Sequence, residues 1–234
     1  MPLVDISREI NMKKTKFILL TAVVLSLLMA ACGGDGGDSS SGVSGGGGPA
    51  GPIQLKDDQY GDFKYGLNEA GDGIVITGYK GTGGKVSIPA KIENVPVVEI
   101  GEYAFRGRSR EKDAPTPGDN ITSVVIPDGV RKIGRGAFSD CRNLIDVTLP
   151  DTVEEIMEVA FRGCIGLQTA NIPARLRFMG LNAFYRDGEL GNLTIPAGMT
   201  PIEWQGWNHF SGCVKLPAEV RQRLKDLGYP ANFN

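Results

Sequence analysis

The amino-acid sequence predicts a solenoid of stacked coils, β-dominated within the α/β class, and two periodic features carry that prediction. Prolines recur every 23 residues, at Pro127, Pro150, Pro173 and Pro196. A phenylalanine follows each of the first three prolines by 11 residues, at Phe138, Phe161 and Phe184. Self-similarity at a fixed period of this length is typical of a chain that builds one structural unit per repeat.

Recurring apolar positions predict the core of each coil. The first three have the spacing L-x-x-L-x-L and are Ile121, Val124 and Ile126 in the first regular row. Their alternation predicts a short strand, and the following proline ends it because proline has no N–H for a ladder. Val130 and Ile133 continue the apolar pattern. One coil cannot bury these side chains alone, so stacked coils must share the core.

An Ala-Phe pair closes each coil on its far side, and Ala160-Phe161 is the middle pair. We expect Phe161 to be fully buried between its neighbours. Three cysteines follow their phenylalanines by three residues: Cys141, Cys164 and Cys213. Coils stack about 4.8 Å apart, which is within disulfide range. Residues in register point the same way, however, so we favour buried free thiols over a disulfide.

The full pattern L-x-x-V-x-I-P-x-x-V-x-x-I-G-x-x-A-F-x-x-C resembles the bacterial BspA-type leucine-rich repeat family over about residues 74–213. The resemblance implies a leucine-rich repeat solenoid with a role in adhesion or host interaction. The sequence departs from the pattern near its end. Asp187 stands in the cysteine position, His209 stands in the alanine position, and the fourth row carries extra residues around Trp204 and Trp207.

Residues 1–31 predict a secretory signal peptide. We expect the true start at Met12, because Asp5 and Glu9 do not suit the basic beginning of such a signal. Lysines at 13, 14 and 16 then precede an apolar run over residues 17–31. That run is short for a membrane-spanning helix.

Residues 29–32, Met-Ala-Ala-Cys, resemble a lipobox, and this resemblance implies lipidation of Cys32 after cleavage before it. A plain signal peptide and an uncleaved anchor are the alternatives. Residues 32–52 are rich in glycine and serine and predict a flexible tether. The tether leads to a leucine-rich repeat domain with caps over residues 53–234.

Two segments flank the repeats and predict caps. Residues 60–79 contain two extended runs separated by Asp72-Gly73, which predicts a hairpin over the first coil. Residues 217–227 have apolar side chains at helical spacing, which predicts a helix over the last coil. Insertions interrupt the first repeat around residues 94–96 and follow it at 107–120, and the second is expected to be an exposed loop.

Composition argues against several functions. The net charge is −2, which does not suit nucleic acid as a partner, because phosphate binding needs a basic face. The chain has one histidine, which disfavours most acid–base chemistry and many zinc sites. We predict no catalytic residue, no cofactor and no metal site. Asp128 and Asp151 are adjacent in the stack and could be imagined as the paired carboxylates of a glycosidase. Aspartate is ordinary in a turn after proline, however, and we favour that structural role.

Charged residues alternate from row to row. Arg131, Glu154 and Arg177 share one position, and Arg135 shares another with Glu158. Stacking places opposite charges side by side, so we expect a ladder of surface ion pairs.

The candidate partner-binding surface is the outward face of the predicted stack of strands, which we expect to form one parallel sheet. Small polar residues dominate its repeated positions: Ser123, Asp146, Thr169, Asn192, Val125, Thr148, Asn171 and Thr194. Such a face suits a protein backbone or a glycan better than an apolar ligand. Simple solvation of the strands is the alternative. Trp204 and Trp207 form a second candidate surface, unless they only fill the end of the core.

The expected function is therefore that of a non-catalytic, lipid-anchored protein of the bacterial cell envelope, at the outer membrane or the cell surface. Its solenoid would bind a protein or a matrix-like partner, and glycans are among the candidate partners. Its only membrane contact would be the lipid. The alternatives are a glycan-binding or glycan-processing accessory protein that uses the C-terminal aromatic residues, and a purely structural envelope protein.

Overall fold

A computed structural model of the chain describes residues 53–108, 114–230 and 233. The predicted signal peptide, Cys32 and the tether lie outside the described residues. The strands are β1 (Gln59–Tyr60), β2 (Phe63–Leu67), β3 (Ile74–Tyr79), β4 (Gly84–Ser87), β5 (Lys91–Ile92), β6 (Val95–Ile100), β7 (Ile121–Val125), β8 (Lys132–Ile133), β9 (Asp146–Thr148), β10 (Glu155–Ile156), β11 (Thr169–Asn171), β12 (Phe178–Met179), β13 (Asn192–Thr194) and β14 (Glu203–Trp204).

Each regular coil contributes one strand to each of two parallel stacks. The five-stranded sheet has the order β13-β11-β9-β7-β4, and its strands are the L-x-x-L-x-L segments predicted from the sequence. The nine-stranded sheet runs β1-β2-β3-β6-β8-β10-β12-β14, with β5 paired to β6. Coils stack in register, so Val124 pairs with Val147 and Ile133 with Ile156. The predicted strands therefore form one parallel sheet, as expected. The second sheet, which contains Ile133 and its equivalents, was not predicted.

A third side of each coil is made of turns that are also hydrogen-bonded from coil to coil. The Phe138 N–H donates to the Ala160 carbonyl, and the Phe161 N–H donates to the Ala183 carbonyl, each at 2.8 Å. These bonds satisfy backbone groups that would otherwise be buried without partners. They also hold the phenylalanines of successive coils in register with one another.

The phenylalanine side chains form a stack along the solenoid axis. The rings of Phe105, Phe138, Phe161, Phe184 and Phe210 have successive centroid distances of 5.0, 5.3, 5.0 and 5.5 Å. All five side chains are almost completely buried. The burial predicted for Phe161 is therefore confirmed, and the stack continues through Phe210 despite the extra residues before it.

The N-terminal end of the core is covered by the predicted hairpin. Strands β2 and β3 pair antiparallel, and β3 pairs in parallel with β6, so the hairpin also extends the nine-stranded sheet. The Tyr79 ring stacks on Phe105 at 5.3 Å, and the Phe63 ring meets Phe105 edge-on at 6.3 Å. The hairpin thus places aromatic surface over the first exposed ring of the stack.

The C-terminal end is covered by the predicted helix, α1 (Ala218–Asp226), and by the residues that follow it. Leu224 is its buried side chain. Tyr229 lies edge-on to Phe210 at 5.6 Å, and the Ile202 N–H donates to the Leu227 carbonyl. In the described residues, no helix is long and apolar enough to cross a membrane.

The described parts of the two insertions have more regular structure than the sequence suggests. The first forms the β5–β6 hairpin, with Glu93 and Asn94 at φ 50° and 66° in its turn. The second is closed by Asp119, whose carboxylate accepts hydrogen bonds from the N–H groups of Arg108 and Thr116. The predicted exposed loop over 107–120 is corrected only at its end, because a 3₁₀ turn at Pro117–Asn120 packs against the first coil with its glycine buried. Residues 109–113 lie outside the described residues.

Replacement of Phe161 by alanine tests the stack. The side chain is 0% exposed and has a ring on each side, so its loss leaves a cavity that neighbouring coils cannot fill. We expect the free energy of unfolding to fall by about 3–5 kcal/mol in a denaturant titration. Phe178→Ala, at a half-buried position on the outside of β12, is the matched control and should cost much less. A loss below about 1 kcal/mol for Phe161→Ala would show that the stack is not a main source of stability.

Candidate functional site

The outward residues of the five-stranded sheet form the ladders that the sequence predicts. Ser123 pairs with Asp146, Asp146 with Thr169, and Thr169 with Asn192. Val125 pairs with Thr148, and Asn171 pairs with Thr194. The eight candidate residues therefore lie on one face, which we call the polar face.

Hydrogen bonds within the chain already use part of the polar face. The Ser123 hydroxyl donates to Asp146 Oδ1 at 3.0 Å. The Asn171 side chain accepts from the Leu149 N–H and donates to the Leu149 carbonyl, both at 2.8 Å. Asn171 thus replaces backbone pairing where β9 and β11 separate.

Solvent can reach the remainder of the polar face. Val125, Thr148, Asn192 and Thr194 are exposed, whereas the other four candidates are half-buried. The exposed part is a set of short side chains in which methyl groups, hydroxyl groups and an amide alternate. Such a surface offers donors and acceptors without any large side chain to block a flat partner.

The polar face also extends to β4, which the sequence analysis did not include. Lys85 and Ser87 pair with Ser123 and Val125 and are exposed. The signal was present, since residues 86–89 (Val-Ser-Ile-Pro) match the strand and proline of the regular rows. The first repeat is identified from the sequence, but the outward positions of its strand, Lys85 and Ser87, are not among the predicted surface residues.

The outside of the nine-stranded sheet carries the predicted ion pairs. Arg177 lies 2.8 Å from Glu154, and Arg135 lies 3.5 Å from Glu158. Arg131 differs from the prediction, because it pairs with Asp72 of the N-terminal hairpin at 2.7 Å rather than with Glu154. This pair lowers the pKa of Asp72, chiefly through the hydrogen bond from Arg131. These partly exposed pairs each contribute only about 0–1 kcal/mol, so they make a mixed-charge surface rather than a reactive site.

The two tryptophans have different environments. Trp204 is half-buried, and its Nε1 donates to the Leu227 carbonyl at 2.9 Å. Its ring contacts His209 and Tyr229, so it belongs to the C-terminal cap. Trp207 is 66% exposed, and its carbonyl accepts a hydrogen bond from the Tyr229 hydroxyl. Trp207 therefore remains a candidate contact, and Trp204 serves the end of the core.

The cysteine position is a column of buried donors. Cys141, Cys164 and Cys213 are free thiols, as the sequence analysis favoured, and burial raises the pKa of each. Each thiol donates to the carbonyl of a phenylalanine in the preceding coil, at 3.0–3.1 Å. The column therefore joins adjacent coils through their side chains.

Asp187 occupies the same column and is 0% exposed. Burial raises the pKa of its carboxyl well above the usual value. The nearby N–H groups of Gly163 and Cys164 oppose this shift only in part, because they already donate to the carbonyls of Tyr185 and Phe161. Neither carboxyl oxygen has a hydrogen-bond partner among the described residues. A protonated Asp187 could donate to the Phe161 carbonyl, as the thiols donate to theirs.

The described residues show no arrangement of catalytic type. His209 is buried, its Nε2 lies 3.3 Å from the Gly206 carbonyl, and burial lowers its pKa, which favours the neutral ring. Asp151 accepts a hydrogen bond from the Ala174 N–H, which is the turn role proposed for it. Within the described ranges, no group of three or more His, Cys, Asp or Glu side chains is placed to hold a metal ion.

These features define a class of protein, the two-sheet solenoid repeat protein that presents broad surfaces rather than a deep cleft. A family model described as the BspA type leucine-rich repeat region matches residues 116–228 in 6 copies. The chain belongs to the BspA-type leucine-rich repeat family. No curated protein matches the chain.

Solved structures of bacterial repeat proteins share the fold. A leucine-rich repeat protein of T. pallidum is 26% identical, with a TM-score of 0.52 over 76% of this chain and 99% of that one. A leucine-rich repeat protein from Bacteroides capillosus is 31% identical, with a TM-score of 0.50 over 59% of this chain and 97% of that one. A third, from Bacteroides ovatus, is 25% identical, with a TM-score of 0.51 over 68% and 46%.

Replacement of Asp187 tests the buried column through pH. The folded state raises the pKa of this carboxyl above its unfolded value of about 3.9, so the folded state holds the proton more tightly. The associated stability is complete at lower pH and is lost as pH rises toward the folded pKa. The free energy of unfolding should therefore fall with pH by up to about 1.4 kcal/mol per unit relative to Asp187→Asn.

Asp187→Cys restores the donor of the column and should be more stable than the parent at pH 7. Denaturant titrations of the three proteins between about pH 4 and pH 8 measure both effects. Parallel pH profiles for the parent and Asp187→Asn would contradict the assignment of a buried, protonated carboxyl.

Proposed function

We propose that this chain is a non-catalytic protein of the bacterial cell envelope that binds a protein or matrix-like partner through the polar face. The observation that carries the proposal is the run of short, exposed polar side chains in register across adjacent coils. Proteins with leucine-rich repeats generally bind protein partners, and solenoids use extended surfaces of this kind. No cluster of acid, base and nucleophile in the described residues favours an enzyme over this function.

We also propose that a lipid on Cys32 holds the protein at the envelope. Support comes from the order of the basic segment, the apolar run, the small residues before Cys32 and the glycine-rich stretch after it. The proposed location is the outer membrane or the cell surface.

A glycan contact at Trp207 is the second candidate. Trp207 is 66% exposed, and tryptophan rings commonly contact sugar faces or partner side chains. The cap uses the ring of Trp204 rather than that of Trp207, so a change at Trp207 should leave the core intact.

Lysine substitution on the polar face tests the first proposal. Thr148 and Thr194 are exposed and lie on the same face, two coils apart. Asn171 is unsuitable because its side chain completes the pairing at Leu149. The double variant Thr148→Lys/Thr194→Lys should lower binding to an immobilised basement-membrane extract by about ten-fold or more, because bulk and charge enter a flat interface.

The matched control is Thr77→Lys/Thr200→Lys, which changes two exposed threonines away from the polar face. All variants are used as full chains purified in detergent, and their thermal midpoints are compared first. Equal loss in both pairs, or loss only in Trp207→Ala, would place the partner elsewhere. No binding by the parent to the extract would count against a matrix-like partner.

Cys32→Ala tests the anchor separately. Without the thiol no acyl chain can be attached, so the protein should leave the membrane fraction and fail to incorporate a labelled fatty acid. Cys141→Ala is the control for general effects of losing a cysteine, since that thiol is buried. Continued partition of Cys32→Ala into detergent would overturn the lipid anchor and favour an uncleaved signal segment.

A further inference from the structure

The turn side of the solenoid carries a concentration of arginine side chains that the proposed function does not use. Arg106, Arg142, Arg162 and Arg186 line one hollow of about 350 Å³, with Asp140 among them. Four arginines and one aspartate give this lining a net charge of +3, in a chain whose overall charge is −2. We call this lining the arginine hollow.

Two arginines of the hollow, Arg106 and Arg186, differ in their ion pairing from the arginines of the other arginine-bearing surface. On the nine-stranded sheet, Arg131, Arg135 and Arg177 each lie within 4.0 Å of a carboxylate. In the arginine hollow, no ion pair with a described residue involves Arg106 or Arg186. Among the described carboxylates, Arg162 pairs with Asp140, at 4.0 Å. Guanidinium groups such as those of Arg106 and Arg186, which pair with no described carboxylate, favour an external anion.

Aromatic neighbours and a glycine shape the hollow. The guanidinium carbon of Arg106 lies 5.3 Å from the centre of the Tyr103 ring, and that of Arg186 lies 5.3 Å from the Tyr185 ring. Contacts of this kind restrict a guanidinium group while leaving its N–H donors available. A Cβ at Gly163 would lie 2.7 Å from Asp140 Oδ1, so a larger residue there would displace the aspartate.

The spacing of the arginines favours an extended ligand over a single ion. Arg106 and Arg162 each follow a stacked phenylalanine, and these phenylalanines are two coils apart. At about 4.8 Å per coil, their main chains are about 10 Å apart along the axis. One sulfate or phosphate group cannot contact guanidinium groups at both positions equally well, whereas a chain with repeated anionic groups can.

Asp140 refines the chemistry of that ligand. Its carboxylate stands among the arginines with its side chain 11% exposed. It repels a ligand that presents only anionic groups, and it can accept hydrogen bonds from hydroxyl groups placed between them. Sulfated sugars combine both features, since hydroxyl donors alternate with anionic groups along the chain.

We propose that the arginine hollow binds a sulfated polysaccharide, with Arg106, Arg162 and Arg186 contacting its sulfate groups and Asp140 contacting its hydroxyl groups. This surface differs from the polar face, so the proposal does not depend on the protein partner. The guanidinium fork matches the oxygens of a sulfate in two-point contact.

The test uses the full chain in detergent and a fluorescent heparin oligosaccharide as the probe, at about 50 mM and about 150 mM salt, because a multivalent charged contact weakens steeply with salt. Arg106→Gln/Arg186→Gln should weaken heparin binding by about ten-fold or more, since two charge-assisted contacts are lost. The matched control, Arg131→Gln/Arg177→Gln, removes the same charge from paired arginines and should change binding less than about two-fold.

The competitors identify the ligand class. Heparin without its sulfate groups should compete poorly, and inorganic sulfate should compete only at far higher concentration. Equal weakening in both arginine pairs, or no heparin binding by the parent, would overturn the proposal as general charge attraction. Poly-glutamate that competes as well as heparin would overturn it in favour of an acidic peptide. Inorganic sulfate that competes as well as heparin would reduce the site to a single-anion site.

Discussion

The structure depends on one constraint: the core side chains of every coil must be in register with those of the neighbouring coils. Hydrogen bonds between coils fix this register on three sides, through two parallel sheets and the ladder of turns. The phenylalanine rings then meet at 5.0–5.5 Å, close to the coil spacing of about 4.8 Å. Core side chains and backbone bonds therefore support the same repeat distance, and a change in either displaces the other.

This constraint also explains the ends of the molecule. A stack of flat rings has two exposed faces, and neither can be buried by another regular coil. Tyr79 and Phe63 meet the first ring, and Tyr229 and Trp204 meet the last, mostly at an angle rather than in continuation. Edge-on aromatic contacts end a stack because they leave no parallel ring for a further coil. The irregular sequence around Trp204 therefore lies where the stack ends.

The features that recur in several repeats can be predicted from the sequence, whereas features that occur once cannot. The core columns and the strands before each proline were predicted because each row repeats them. The second sheet was missed because strands of two residues, such as Lys132–Ile133, are too short to alternate. The turns were missed for another reason. One position of each turn has a left-handed backbone, at φ 52–58°, and is occupied in successive coils by Tyr103, Gly136, Val159 and Asn182. No single residue type therefore indicates this position in the sequence. Arg131 pairs with Asp72, which lies outside the repeats, so the periodicity could not predict this ion pair.

The same periodicity separates what a coil needs for folding from what it can offer to a partner. Most buried positions stay apolar from row to row, with Asp187 and His209 as exceptions. Each outer side has its own chemistry: short polar side chains on one sheet, paired charges on the other and arginines on the turns. Register makes surface residues neighbours across coils, so a surface is assembled from residues 23 positions apart, as Ser123 and Asp146 show. In the same way, Arg106 and Arg162 lie on one surface. Ser139 occupies the equivalent position in the coil between them and is buried. A solenoid can change one such surface without changing its core, because the two sets of positions do not share side chains.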